Sequence, residues 1–206
     1  MGKIYVASKN MRGEWAPRPD GAIVIDVTSA QRKDAPNRLC FSPMTMKTYT
    51  DAHEGSFPNF EAYWQSLKVI ESVPHAQAKQ WWKAIDKPKR RHPKMKMNRV
   101  LHSKHRRLPD QQLGYVESRK KVYVPDYYNT IKNSMQLLDL QRGYIVEDRT
   151  YVIYDFDGPR DDDKKPVCEE VCVDMLKRKI NDDRVPFGHG YVVAAALAGI
   201  KPELYV

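Results

Sequence analysis

The sequence predicts an α+β fold on three observations. β-Branched runs lie near the N-terminus, helical stripes fill the middle, and one late strand precedes the closing helices. At 206 residues the chain suits a single compact domain, 1–206, mostly helical around a small sheet. Its 41% hydrophobic content is enough for a core and too much for a disordered chain. The longest apolar stretch, Tyr191 to Ile200, falls short of the roughly 18–20 residues that cross a bilayer. No long apolar segment follows Met1, so a secretory leader is not expected.

Lys3 to Ser8 alternates like a strand, and Ala22 to Val27 is β-branched and nearly continuous, like a buried one. Leu39 to Pro43 is short, apolar and closed by proline, which suits an edge strand. Met44 to Phe57 has no period and reads as a surface loop. Pro58-Asn59 opens the clearest helix, whose stripe Phe60, Tyr63, Leu67, Ile70 runs until Pro74 stops it. His75 to Ile85 forms a second helix, Gln111 to Val124 a third and Pro125 to Leu140 a fourth. Tyr151 to Phe156 is a strand, followed by the turn Asp157-Gly158-Pro159-Arg160 and a charged loop to Lys165. Pro166 to Ile180 reads as a helix, and Gly188-His189-Gly190 opens the last one, ended by Gly199.

Thirty-five Lys and Arg against 26 Asp and Glu leave a formal charge of +9. That excess suits a polyanionic partner or ordinary solubility. Much of it lies in Lys87 to Arg107, an exposed insertion with ten Lys or Arg and no acid. Lys89, Arg90, Arg91, Lys94, Lys96, Arg99, Arg106 and Arg107 are its candidate contacts to DNA or RNA phosphates, the alternative being a solvated loop. Aromatic residues are missing between them, so stacking on single strands is not expected. Cys168 and Cys172, four apart on the expected helix, read with Cys40 as reduced thiols of a cytoplasmic protein. No CxxC or HxxxH spacing points to a metal.

Glu61, Trp64, Gln65 and Lys68 form a second stripe on the helix that Asn59 opens. A carboxylate and an ammonium with an amide between them suit acid–base work in a cleft, or form a solvated face. Trp64 offers a flat surface for a base, or belongs to the core. The segment Phe60-Glu61-Ala62-Tyr63-Trp64-Gln65-Ser66-Leu67-Lys68 resembles the signature helix of the NADAR family, E-x-[YF]-[YFW]-Q-x-x-K, in register. Phe41-Ser42-Pro43 resembles the short stretch that precedes this helix in the family, and the likeness covers about residues 39–70. Near the C-terminus, Asp155 to Arg160 and Pro186 to Gly190 stand where the family carries glycine-rich segments, with different residues.

The resemblance implies an N-glycosidase that needs no metal or cofactor. Its substrates would be phosphorylated ribosylamines of riboflavin biosynthesis, or ADP-ribose on guanine in nucleic acid. Glu61 would stabilise the oxocarbenium-like state or orient a water. Lys68 would hold a phosphate or attack the opened sugar as an amine, and Gln65 would position a ribose hydroxyl or a base edge. Asp155 is a further candidate catalytic carboxylate. With Asp157 and Arg160 it forms a pocket wall or only a turn. His189 lies where a helix start could bind phosphate, or it caps the helix. A binding protein that keeps the fold without the activity is the rival reading.

Overall fold

The computed structural model describes residues 2–9 and 18–206. In chain order the strands are β1 (Ile4–Ser8), β2 (Ile23–Asp26), β3 (Tyr49–Asp51), β4 (Gly55–Phe57), β5 (Lys68–Ile70), β6 (Val100–Ser103), β7 (Tyr151–Asp155) and β8 (Cys168–Glu170). The helices are α1 (Pro36–Phe41), α2 (Phe60–Ser66), α3 (His75–Lys83), α4 (Tyr115–Ser118), α5 (Val124–Ile131), α6 (Met135–Ile145), α7 (Val173–Asn181) and α8 (His189–Leu197). The architecture is α+β with a small mixed sheet, as expected. Two compact units divide it, one made of Met1–Ser42 with Val124–Val206, the other of Pro43–Tyr123.

The first unit carries the four-stranded sheet, in the order β2-β7-β1-β8. β1 and β2 both run parallel to β7, and β8 runs antiparallel to β1. β7 is buried along its whole length, as a central strand with covered faces must be. Helix α8 packs across β7 and β1, and its alanine and valine run is buried throughout. Small residues let a helix lie close on a sheet. α1 replaces the expected edge strand at Leu39 to Pro43, with Pro36 in its first turn and Phe41 buried. Pro125 to Leu140 is two helices, because Ser134 caps a new start by accepting from the Leu137 N–H. Pro166 to Ile180 is not one helix. Cys168-Glu169-Glu170 pairs with Tyr5, Val6 and Ala7, since the β1 edge offers unpaired backbone groups. Cys168 therefore sits on a strand and Cys172 at the start of α7, exposed, so the two thiols share no helical face.

The second unit folds around α2 and α3. Met44 to Phe57 is not an open loop but holds the hairpin β3–β4. Asp51 accepts from the His53 and Glu54 N–H groups, and Gly55 takes the left-handed conformation, at φ 82°, that starts the return strand. α2 starts where expected, with the Asn59 side chain accepting from the Ala62 N–H at 2.8 Å. It stops at Ser66, eight residues before Pro74. Val69 and Ile70 are β-branched, and β6 pairs with them antiparallel. Lys68 therefore begins β5 and does not extend the helix. In 111–124 a short α4 passes into a π-helical turn over Arg119–Tyr123.

Candidate functional site

Within the second unit, α2 and the start of β5 bring four expected residues together. Glu61 and Gln65 are one turn apart on α2, and the Gln65 Nε2 donates to Glu61 Oε1 at 2.7 Å. Trp64 is buried and packs on Tyr123, with ring centroids 5.0 Å apart. The chain then turns, and the Lys68 Nζ lies over the Trp64 ring, 5.8 Å from its centroid. Burial pulls the Lys68 pKa below the ordinary lysine range. Glu61 opposes that shift, and Arg91 adds to it. A lowered pKa raises the share of neutral, nucleophilic amine. Gln65 is 7% exposed, and its Oε1 is buried with no hydrogen-bond partner among the described residues. The carboxylate of Glu61 can only accept, so the amide must turn its NH2 there and leave its oxygen for another donor.

The first unit holds the other group. Asp155 ends β7 and is 1% exposed. Its Oδ2 accepts from the Gly190 N–H at 2.8 Å, and its Oδ1 from the Phe156 N–H at 2.7 Å. An anion is thus already seated at the start of α8, where the helix dipole favours one. This seat explains the glycines. A Cβ on Gly190 would stand 2.6 Å from the Asp155 Cβ, and one on Gly188 would strike its carboxylate. His189 joins its Nε2 to the Val27 carbonyl at 2.9 Å and faces Asp155 Oδ2 with Nδ1 at 3.4 Å. The carbonyl can only accept, so Nε2 carries a hydrogen. Ser8, the register partner of Asp155 on β1, has a buried hydroxyl with no hydrogen-bond partner among the described residues.

Asp157 and Arg160 do not share this burial. The strand ends at Asp155, so Asp157 is carried into the turn and is exposed. Arg160 is exposed too and donates to the Lys164 carbonyl at 2.9 Å within its own loop. Glu61, Trp64, Gln65 and Lys68 thus form one cluster in the second unit, and Asp155 and His189 another in the first.

The basic insertion is built, with a short 3-10 turn at Pro93–Lys96 and strand β6. Lys89, Arg90, Arg91, Lys94 and Lys96 are exposed. The other three expected contacts also make internal bonds. Arg99 pairs with Glu71 at 3.3 Å, Arg106 donates its N–H to Glu54 at 2.9 Å, and Arg107 donates to the Lys121 carbonyl at 2.9 Å.

A feature the sequence reading missed is Glu54, whose carboxylate is wholly buried in the second unit. Lys79 donates to it at 2.6 Å, and the Arg106 N–H at 2.9 Å. Burial pushes its pKa up, but these partners and nearby His105 outweigh that and hold it below the usual carboxylate range. His105, also buried, accepts the Arg107 N–H on Nδ1 at 3.1 Å and stands 3.6 Å from Asp51. The Asp and Gly around Glu54 were the only local signal of a turn there.

The fold is that of an α+β protein whose buried acids and desolvated amine sit at strand and helix ends. The chain belongs to DUF6939, a family of unknown function whose model matches residues 7–170. That span takes in Glu61, Lys68 and Asp155 and stops before His189. No curated protein and no solved structure matches the chain.

Proposed function

We propose that this protein is an N-glycosidase of NADAR-like chemistry, acting on a nucleotide-type substrate such as a phosphoribosylamine or a modified base. The observation that carries the reading is the desolvated Lys68 amine, held over Trp64 and beside the Glu61–Gln65 pair. A neutral amine is a nucleophile, and a nearby carboxylate favours positive charge growing at a sugar carbon. Three free cysteines suit a reducing, cytoplasmic setting. Among the described residues no helix is long and apolar enough to cross a membrane.

In this reading the Lys68 Nζ attacks C1′ of the sugar, and the C1′–N bond breaks with its electron pair going to the base. The proton lost by the amine ends on the departing base. Ring opening moves the remaining Nζ proton to the ring oxygen and leaves an imine at C1′. Water hydrolyses the imine, which returns the amine and frees the sugar as an aldehyde. Glu61 stabilises the charge at C1′. Gln65 fixes Glu61 and offers its free oxygen to a hydroxyl or N–H of the ligand. Asp155 is not needed for this chemistry, because its two oxygens already accept backbone N–H bonds from Phe156 and Gly190.

The test is incubation with phosphoribosylamines, nucleotides and ADP-ribosyl-guanine DNA, reading released base by mass spectrometry. Release by the natural protein and not by Glu61→Gln supports the reading. No release from any of them, or equal release by both proteins, removes it.

A further inference from the structure

The charge of this protein is segregated. Residues 43–123 carry 17 Lys and Arg against seven Asp and Glu, while the rest of the chain carries 18 against 19. The whole formal excess thus belongs to the second unit. Even mixing of the signs would serve solubility, so solubility does not explain it.

Within that unit the excess lies on an ordered scaffold. His92 is buried and packs edge-on to Trp81, with centroids 4.6 Å apart. It accepts the Lys94 N–H on Nδ1 at 3.2 Å, which starts the turn at Pro93–Lys96. Trp82, fully buried in α3, backs this contact at 6.4 Å. The Lys94 carbonyl accepts from the Asn98 side chain at 2.8 Å, which closes the turn. On this frame Lys87, Lys89, Arg90, Arg91, Lys94 and Lys96 all face solvent. Among the described residues no acid forms an ion pair with Lys87, Lys89, Arg91, Lys94 or Lys96. Holding cations of one sign together on a fixed turn costs self-repulsion, which a polyanion would relieve.

We infer that the surface from Lys87 to Lys96 docks the sugar–phosphate backbone of a nucleic acid duplex. The duplex is favoured over a single strand because the segment 87–96 itself carries no Phe, Tyr or Trp to stack on an unpaired base. The cations meet phosphate, so binding is salt-dependent and indifferent to sequence. Met97 is 92% exposed beside them but adds no hydrogen-bonding group for reading base edges. The inference stands whether or not Lys68 acts on a sugar.

The experiment measures fluorescence anisotropy of a labelled DNA duplex of about three helical turns, the matching RNA duplex, a single strand, and anionic phospholipid vesicles. Each probe is titrated over a range of salt concentrations. The full-length protein is compared with Arg90→Glu/Arg91→Glu/Lys94→Glu/Lys96→Glu, with the same four positions changed to Gln, and with Glu61→Gln. The expected result is duplex binding with a steep salt slope. The slope should shrink by roughly 0.9 for each phosphate that a variant no longer neutralises. Affinity should fall at least tenfold in the Gln variant and further in the Glu variant. Circular dichroism establishes that each variant is folded, and the milder Gln variant decides if the Glu variant is not. Glu61→Gln should bind as the natural protein does, which separates docking from catalysis. DNA and RNA duplexes binding alike, or one preferred, both support the backbone reading. An unchanged slope in the folded Gln variant, or binding to vesicles or single strand but not duplex, overturns it.

Discussion

Gln65 donates its amide to Glu61 at 2.7 Å, and that bond leaves the Gln65 oxygen buried without a partner among the described residues. Shape is nearly unchanged in Gln65→Glu, but two carboxylates would then face each other across one turn. Repulsion should raise the pKa of one of them. Base release should fall by at least about tenfold at neutral pH and partly recover as the pH is lowered. A pH–rate profile of the variant checks this, and a profile parallel to that of the natural protein would exclude Gln65 from setting Glu61.

Lys68 supplies a pH prediction with a definite sign. Its pKa in the folded protein lies below the ordinary lysine value of 10.5. The unfolded chain therefore binds more protons than the folded one between the lowered pKa and 10.5, and stability rises with pH across that window. Below the lowered pKa the folded state bears the cost of a partly desolvated charge. Lys68→Met should remove this rise and leave the protein at least as stable at neutral pH, as urea titrations at several pH values would show. An identical pH slope in both proteins would mean that Lys68 is not desolvated.

Glu54 gives a slope of the same sign, in the acid range. Its folded pKa lies below 4.5, so its stabilisation is present above 4.5 and is lost as pH falls through the folded value. Lys79→Met should cost about 3 kcal/mol at neutral pH, because it leaves a buried carboxylate without its cation. The loss should shrink in acid, when Glu54 is protonated. Denaturation midpoints at neutral and acid pH measure both effects.

Asp155 and Gly190 predict a packing cost. Gly190→Ala brings a Cβ to 2.6 Å from the Asp155 Cβ, within a buried strand–helix contact. Overpacking of this kind costs about 1–3 kcal/mol. Asp155→Ala should cost about 1–2 kcal/mol by leaving the Gly190 N–H without its acceptor. Thermal melts of the two variants and of their double mutant check the pair. The Gly190 penalty should fall only in part in the double mutant, because Asp155→Ala removes the Cγ and Oδ2 contacts but keeps the Cβ at 2.6 Å.

How much of this was legible beforehand depended on how local each signal was. β1, β2, β7, the start of α2 and the start of α8 are written in β-branched runs, in Asn59 and in Gly188-His189-Gly190, all of which act on near neighbours. The end of α2 was not legible. Helical spacing continues to Ile70, and only pairing with β6, some thirty residues away, turns Lys68 into a strand. β8 failed for the same reason, since its partner β1 lies at the other end of the chain. For the candidate site, the grouping of Glu61, Trp64, Gln65 and Lys68 was legible from spacing, although Lys68 reaches Trp64 by a chain turn. The engagement of Asp155 by Gly190 was not, because a carboxylate at a strand end looks the same whether it faces a ligand or a helix start.

Lys68 is the residue on which the catalytic reading turns, and reductive trapping questions it directly. The protein is incubated with a substrate from which it releases base, treated with sodium borohydride, digested and mapped by peptide mass spectrometry. The account predicts a sugar adduct on the peptide carrying Lys68, absent from Lys68→Met, with base release lost in that variant. Full base release by folded Lys68→Met, or an adduct confined to other lysines, would contradict it.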